Sequence, residues 1–109
     1  MTALTAKRRM LNAYGPTETT VTATLEVLDP AAPVVTIGRP LPTYTVLILA
    51  PDERRVLPLG EVGEIVIAGV GVAQGYLNRP DQTARAFIDD FIGVQPNPSG
   101  RLYRTGDLG

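Results

Sequence analysis

The chain has 109 residues, which fits one domain or part of one, with 44% hydrophobic residues, 19% charged residues and a net charge of −1. That near balance gives no electrostatic basis for binding nucleic acid or an anionic membrane surface. The lack of cysteine and histidine excludes disulfides, thiolate and imidazole chemistry and the usual zinc sets, so any metal must be a hard cation, such as Mg2+, on oxygen ligands.

The N-terminus lacks the charged start and apolar stretch of a secretory signal. Lys7-Arg8-Arg9 is the only basic cluster and reads as a solvated face. No apolar run approaches the roughly 20 residues that span a bilayer, so a soluble, cytoplasmic protein is the expectation. Eleven glycines and ten prolines punctuate short apolar stretches along the whole chain, the rhythm of a mainly β fold with one or two short helices. Val21 to Leu28 reads as a strand broken by Asp29-Pro30. Thr43 to Ala50 is a second strand, whose continuous apolar run predicts burial on both faces. Val56-Leu57 is a short extended piece, and Glu64 to Ala68 is a third strand closed by Gly69-Val70-Gly71.

The period then changes. Asn78 or Arg79 can cap a helix that carries Pro80 in its first turn and Asp81 near its positive end. Ala84, Phe87, Ile88 and Phe91 fall at i, i+3, i+4 and i+7, which predicts a helix over about 78–88 anchored by Phe87. Gln95 to Gly100 is a loop, and Leu102 to Thr105 returns to extended structure before Gly106-Asp107.

Three segments could carry chemistry. Asn12-Ala13-Tyr14-Gly15-Pro16-Thr17-Glu18 gathers unusual groups in one bend. Tyr14 offers a face for stacking on a nucleobase, Thr17 a hydroxyl for a phosphate oxygen, and Glu18 a carboxylate for magnesium. Gly15 permits close backbone approach. The bland alternative is a Gly-Pro turn with a half-buried tyrosine and a surface acid. In Tyr103-Arg104-Thr105-Gly106-Asp107, Asp107 is either a turn residue or an acceptor for two ribose hydroxyls. Gly63 to Gly69 with Val72 to Leu77 reads as scaffold: a core strand, a glycine turn and a packing aromatic.

In this order, the three segments resemble the adenylation domains of nonribosomal peptide synthetases, within the superfamily of acyl-CoA synthetases and luciferase. Ile37-Gly38-Arg39-Pro40, Asn78-Arg79-Pro80 and Thr83-Ala84 also fit, so the likeness runs from about Leu11 to Gly109. The resemblance implies a fragment, residues 1–109, from the distorted β-barrel subdomain at the end of the large core. The upstream α/β subdomains, the phosphate loop with its lysine, and the C-terminal lid with its lysine are not found. It implies ATP and Mg2+ as cofactors. Asn12, Tyr14, Gly15, Thr17 and Asp107 would form the nucleotide site, with Tyr14 against adenine, Thr17 on a phosphate and Asp107 on the ribose. Glu18 would hold the metal, and Thr17 and Glu18 would lie nearest the chemistry. Ala13, Val21 and Thr22 match positions that line the substrate pocket. The implied partners are an amino-acid or other carboxylic-acid substrate, the remaining subdomains, and a carrier protein bearing phosphopantetheine. The fragment alone is expected to be inactive. An acyl- or aryl-CoA ligase fragment and a non-catalytic β-rich module are the alternatives.

Overall fold

A computed structural model of the chain describes residues 9–51 and 53–109. Most of the Lys7-Arg8-Arg9 cluster therefore lies outside the described residues. The elements are β1 (Leu11–Tyr14), a 3-10 turn (Thr17–Thr19), β2 (Thr24–Val27), β3 (Arg39–Pro40), β4 (Tyr44–Leu49), β5 (Glu64–Gly69), α1 (Pro80–Ala86), β6 (Phe87–Asp89) and β7 (Arg101–Leu108). They make a three-stranded sheet, β1-β2-β3, and a four-stranded sheet, β4-β5-β7-β6. Every pairing is antiparallel. The mainly β class is as expected, and both sheets are open.

Burial follows position in the sheet. β5 lies between β4 and β7, and Ile65 through Gly69 are all buried. One face packs Val66 and Ala68 on Leu49 and Leu102. The other packs Ile65 and Ile67 on Ala23, with Tyr14, Tyr44, Val46 and Ile48 around them. This second cluster joins the two sheets, since Tyr14 lies in β1 and Ala23 immediately precedes β2. β4, by contrast, is an edge strand and is half-buried apart from Leu49. Its apolar run predicted cover on both faces, but an edge position leaves part of the strand exposed.

Two predicted elements have different boundaries. The strand expected from Val21 starts at Thr24, because Thr20 and Val21 take φ of 64° and 68°, in the left-handed region. The helix expected over about 78–88 ends at Ala86, and Phe87–Asp89 pairs with β7 as a strand. Ala84 is exposed and Phe87 is buried, so the apparent helical face straddles two elements. Phe87 does anchor the segment: its ring packs on Tyr76 at 5.4 Å and on Tyr103 at 5.0 Å. Pro80 occupies the first turn, and Asp81 pairs with Arg85 at 3.5 Å on the exposed side. No described helix is long and apolar enough to cross a membrane.

Candidate functional site

The site grows from the bend that follows β1. The 3-10 turn starts at Pro16, whose carbonyl accepts Thr19 N at 3.1 Å and Val21 N at 3.2 Å. The left-handed pair Thr20-Val21 then reverses the chain, and Ala23 N closes the loop on Tyr14 O at 2.8 Å. Gly15 sits inside this reversal. A Cβ there would meet Val21 O at 2.5 Å and Ala23 N at 2.6 Å, so the close approach it permits is to the returning backbone of the chain itself. Three further bonds pin the bend to β4 and to the loop after β5. Thr20 Oγ1 donates to Gly71 O at 2.7 Å, Ala73 N to Glu18 O at 2.8 Å, and Tyr44 Oη to the carbonyl of the buried Thr19 at 2.5 Å.

The second half of the site is a bulge in β7. Glu64 pairs with Leu108 and Val66 with Arg104. Ile65 alone therefore faces Thr105-Gly106-Asp107, an irregularity of the kind that re-aims a side chain. Gly106 takes φ of 77° at its apex. Thr105 Oγ1 donates to Ile65 O at 2.7 Å and accepts Asp107 N at 3.0 Å, while Gly106 N donates to Glu64 Oε2 at 2.9 Å. Glu64 is held in turn by Arg104, whose Nε and Nη2 lie 3.0 and 2.9 Å from its Oε1. The outcome is that Asp107 reaches the bend: Tyr14 Oη donates to Asp107 Oδ2 at 2.7 Å, across 93 positions of sequence. Burial, and then this hydrogen bond to a carboxylate, push the Tyr14 phenol up to about 12. It is a proton donor throughout the neutral range.

Glu18 is fixed by two residues whose sequence context signals scaffold or no particular role. Tyr76 Oη donates to Glu18 Oε2 at 2.6 Å, and Tyr103 Oη donates to the same oxygen at 2.8 Å. The Tyr76 bond is the main reason the Glu18 carboxyl titrates below its ordinary range; Tyr103 adds to it against partial burial. The phenols move the opposite way. Tyr76 is raised chiefly by its bond to Glu18, and Tyr103 by burial and then by its bonds to Tyr76 and Glu18. The signal that could have found them is the choice of tyrosine over phenylalanine at two covered positions, since a buried phenol needs a partner.

The remaining site residues are dispersed around this frame. Thr17 is exposed on the 3-10 turn. Asn12 shares a face of β1 with Tyr14, and its Nδ2 donates to Thr36 O at 2.7 Å, tying down the segment before β3. Ala13 is exposed on the opposite face of β1, Val21 is exposed on the reversal, and Thr22 beside it is half-buried. A cleft of about 310 Å³ bordered by Val27, Leu28, Val34 and Val35 lies beyond β2, and no predicted site residue lines it. An open cleft of about 450 Å³ is bordered by Tyr76, Tyr103, Arg104, Thr105 and Gly106.

No group of three or more acidic residues that could hold a metal occurs among the described residues. The donor set still suits magnesium, which commonly takes one or two carboxylates and completes its octahedron with phosphate oxygens and water. Both phenols bond Glu18 Oε2, and among the described residues no hydrogen bond reaches Oε1.

The fold thus brings Tyr14 to Asp107, and Tyr76 and Tyr103 to Glu18. A family model described as AMP-binding enzyme matches residues 1–77, and the chain belongs to that family. It is 53% identical over 100 residues to the delta-poly-L-ornithine synthetase of Acinetobacter baumannii, a match covering 92% of this chain and 7% of the synthetase. Among solved structures it resembles the N-terminal subdomain of Klebsiella oxytoca NpsA in complex with 3-hydroxybenzoyl-AMSN. There the TM-score is 0.76 and identity 35%, covering 94% of this chain and 24% of that one. It also resembles the four-domain nonribosomal peptide synthetase AB3403 bound to AMP and glycine, with TM-score 0.75 and 36% identity over 92% of this chain and 7% of that one. The resemblance to peptide-synthetase adenylation domains is thus borne out, and the chain spans a small part of each relative's length.

Proposed function

We propose that this chain is the part of an ATP-dependent, amino-acid-activating adenylation domain that holds adenine, ribose and metal. The full-length protein forms an aminoacyl-adenylate and passes the acyl group to the phosphopantetheine thiol of a carrier protein. The observation that carries the reading is the 2.7 Å bond between Tyr14 and Asp107. It joins the aromatic suited to adenine with the carboxylate suited to ribose, although they lie at opposite ends of the chain. Tyr14 provides the stacking face, Asp107 accepts the ribose hydroxyls, and Thr17 donates to a phosphate oxygen from its exposed turn. Asn12 and Gly15 shape the bend that holds these groups. Ala13, Val21 and Thr22 contribute to the wall of the acid-substrate pocket.

In the reaction the substrate carboxylate attacks the α-phosphorus of ATP, and pyrophosphate leaves. That carboxylate is already a nucleophile, so positioning and charge neutralisation carry the catalysis, in keeping with a chain free of histidine. Glu18 would hold magnesium, which would supply part of the charge neutralisation at the phosphates. An aryl acid is the second reading of the substrate, favoured by the 3-hydroxybenzoyl-AMSN bound to the similar NpsA subdomain; a coenzyme A ligase would fit that substrate. Glycine and AMP on the peptide synthetase favour the amino acid.

The test is ATP–pyrophosphate exchange by the full-length protein over a panel of amino acids and aryl acids. One acid should support exchange, and Glu18→Ala should lower its rate by at least about 100-fold, the scale of losing a group that stabilises transition-state charge. Asp107→Ala should chiefly raise the KM for ATP. Full exchange in both variants would contradict the reading.

A further inference from the structure

Glu18 has an asymmetric environment that its role as metal ligand does not require. Two phenol hydroxyls, from Tyr76 in the loop after β5 and Tyr103 in β7, converge on one carboxylate oxygen, Oε2, at 2.6 and 2.8 Å. The hydroxyls lie 3.4 Å from each other. Phe87 packs edge-on to Tyr76 and tilted against Tyr103, so one ring locks both phenols. The backbone is fixed as well, since Glu18 O accepts Ala73 N at 2.8 Å. A carboxylate on a surface turn would otherwise rotate freely and offer either oxygen. Here two segments, the loop after β5 and β7, hold it in one orientation, with Oε2 occupied and no hydrogen bond among the described residues reaching Oε1.

We infer that Tyr76 and Tyr103 are positioning residues for the metal: they clamp Oε2 of Glu18 so that Oε1 alone is presented to magnesium. The inference rests on the proposed role of Glu18 as the metal ligand. A ligating carboxylate whose other oxygen is hydrogen-bonded is pre-oriented, and loss of such supporting bonds typically costs about 10- to 100-fold in metal affinity. The two clamps act together, because either phenol alone still holds Oε2.

The experiment uses the full-length protein with Mn2+ as probe and a non-hydrolysable ATP analogue, reading free manganese by electron paramagnetic resonance. Tyr76→Phe and Tyr103→Phe keep both rings and their packing on Phe87 while removing the hydroxyls. The double variant should bind manganese about tenfold more weakly, and each single variant about two- to threefold more weakly, since one phenol then holds Oε2 less firmly than two. Affinity for the analogue in the presence of EDTA should not change. The magnesium concentration for half-maximal exchange should rise in step with the manganese Kd, while the KM for the acid substrate stays where it was. A folded double variant that binds manganese within twofold of the unmodified protein overturns the inference. If the double variant does not fold, two single variants with unaltered manganese binding do the same. Glu18→Gln separates the two layers. If it abolishes manganese binding while the tyrosine variants leave it intact, only the clamp is wrong; if it leaves manganese binding intact, the metal role of Glu18 fails as well.

Discussion

Tyr14 and Glu18 sit four positions apart in one bend, and their protons respond to opposite ends of the pH scale. Glu18 titrates below the ordinary 4.5 of a glutamate, chiefly through the Tyr76 bond. A depressed folded value means that its contribution to stability is present above about 4.5 and is lost as pH falls through the folded value. Glu18→Gln should therefore flatten the acid limb of a plot of Tm against pH; an identical acid limb would argue against the clamped carboxylate. Tyr14 is the reverse case. Its phenol is raised from 10.0 to about 12, first by burial and then by Asp107. Its contribution is present in full below pH 10 and is lost as pH rises through about 12. Absorbance of phenolate at 295 nm should lag behind that of free tyrosine in this range, and Tyr14→Phe should remove part of the lag. The chemistry these residue types offer is legible in the sequence, because stacking face, hydroxyl and carboxylate occur together in Asn12–Glu18. The pairing of the Tyr76 and Tyr103 hydroxyls with Glu18 is not, because a tyrosine's partner lies wherever the fold brings it, here 58 and 85 positions away.

Among the elements, the reversal at Gly15 and the bulge at Gly106 do the positioning. Gly15→Ala would drive a methyl into backbone atoms of Val21 and Ala23 that have no room to yield. An overpacking cost of about 1–3 kcal/mol is expected, read as a lowered denaturant midpoint; a midpoint equal to that of the unmodified chain would show that the reversal is looser than these distances require. Strand existence is well signalled by β-branched runs in β4 and β5. Strand context is not: nothing in Tyr44–Leu49 says that it is an edge, whereas Ile65–Gly69 is central. The expected helix over-runs the observed one for a related reason. Phe87, Ile88 and Ala84 have helical spacing, but Ile88 finds its cover as a strand residue opposite Leu102, and a tertiary pairing overrides a local period. The bulge in β7 has no local mark beyond Gly106, whose left-handed φ only glycine adopts without strain.

For the whole molecule, the radius of gyration is 15.4 Å and the longest dimension 47 Å, against about 13 Å expected for the radius of gyration of a compact domain of this length. Much apolar surface is uncovered: Leu59, Leu77, Val62 and Val34 in the loops and Leu108 in β7 are each at least 69% exposed. In the proposed adenylation domain, the remaining subdomains would cover such faces. The 109-residue chain in isolation should self-associate at micromolar concentration, as measured by sedimentation; a monodisperse monomer with a cooperative, high-temperature melt would be inconsistent with uncovered packing faces.

That Tyr14 and Asp107 form one nucleoside site is open to a direct measurement on the full-length protein, selectively labelled at tyrosine, glycine and aspartate. Titration with AMP, followed by chemical shifts, should move the ring signals of Tyr14 and the amides of Gly106 and Asp107 in concert along one weak isotherm, and Asp107→Ala should abolish those shifts. Shifts confined to other surfaces, or unchanged in the Asp107→Ala chain, would contradict it.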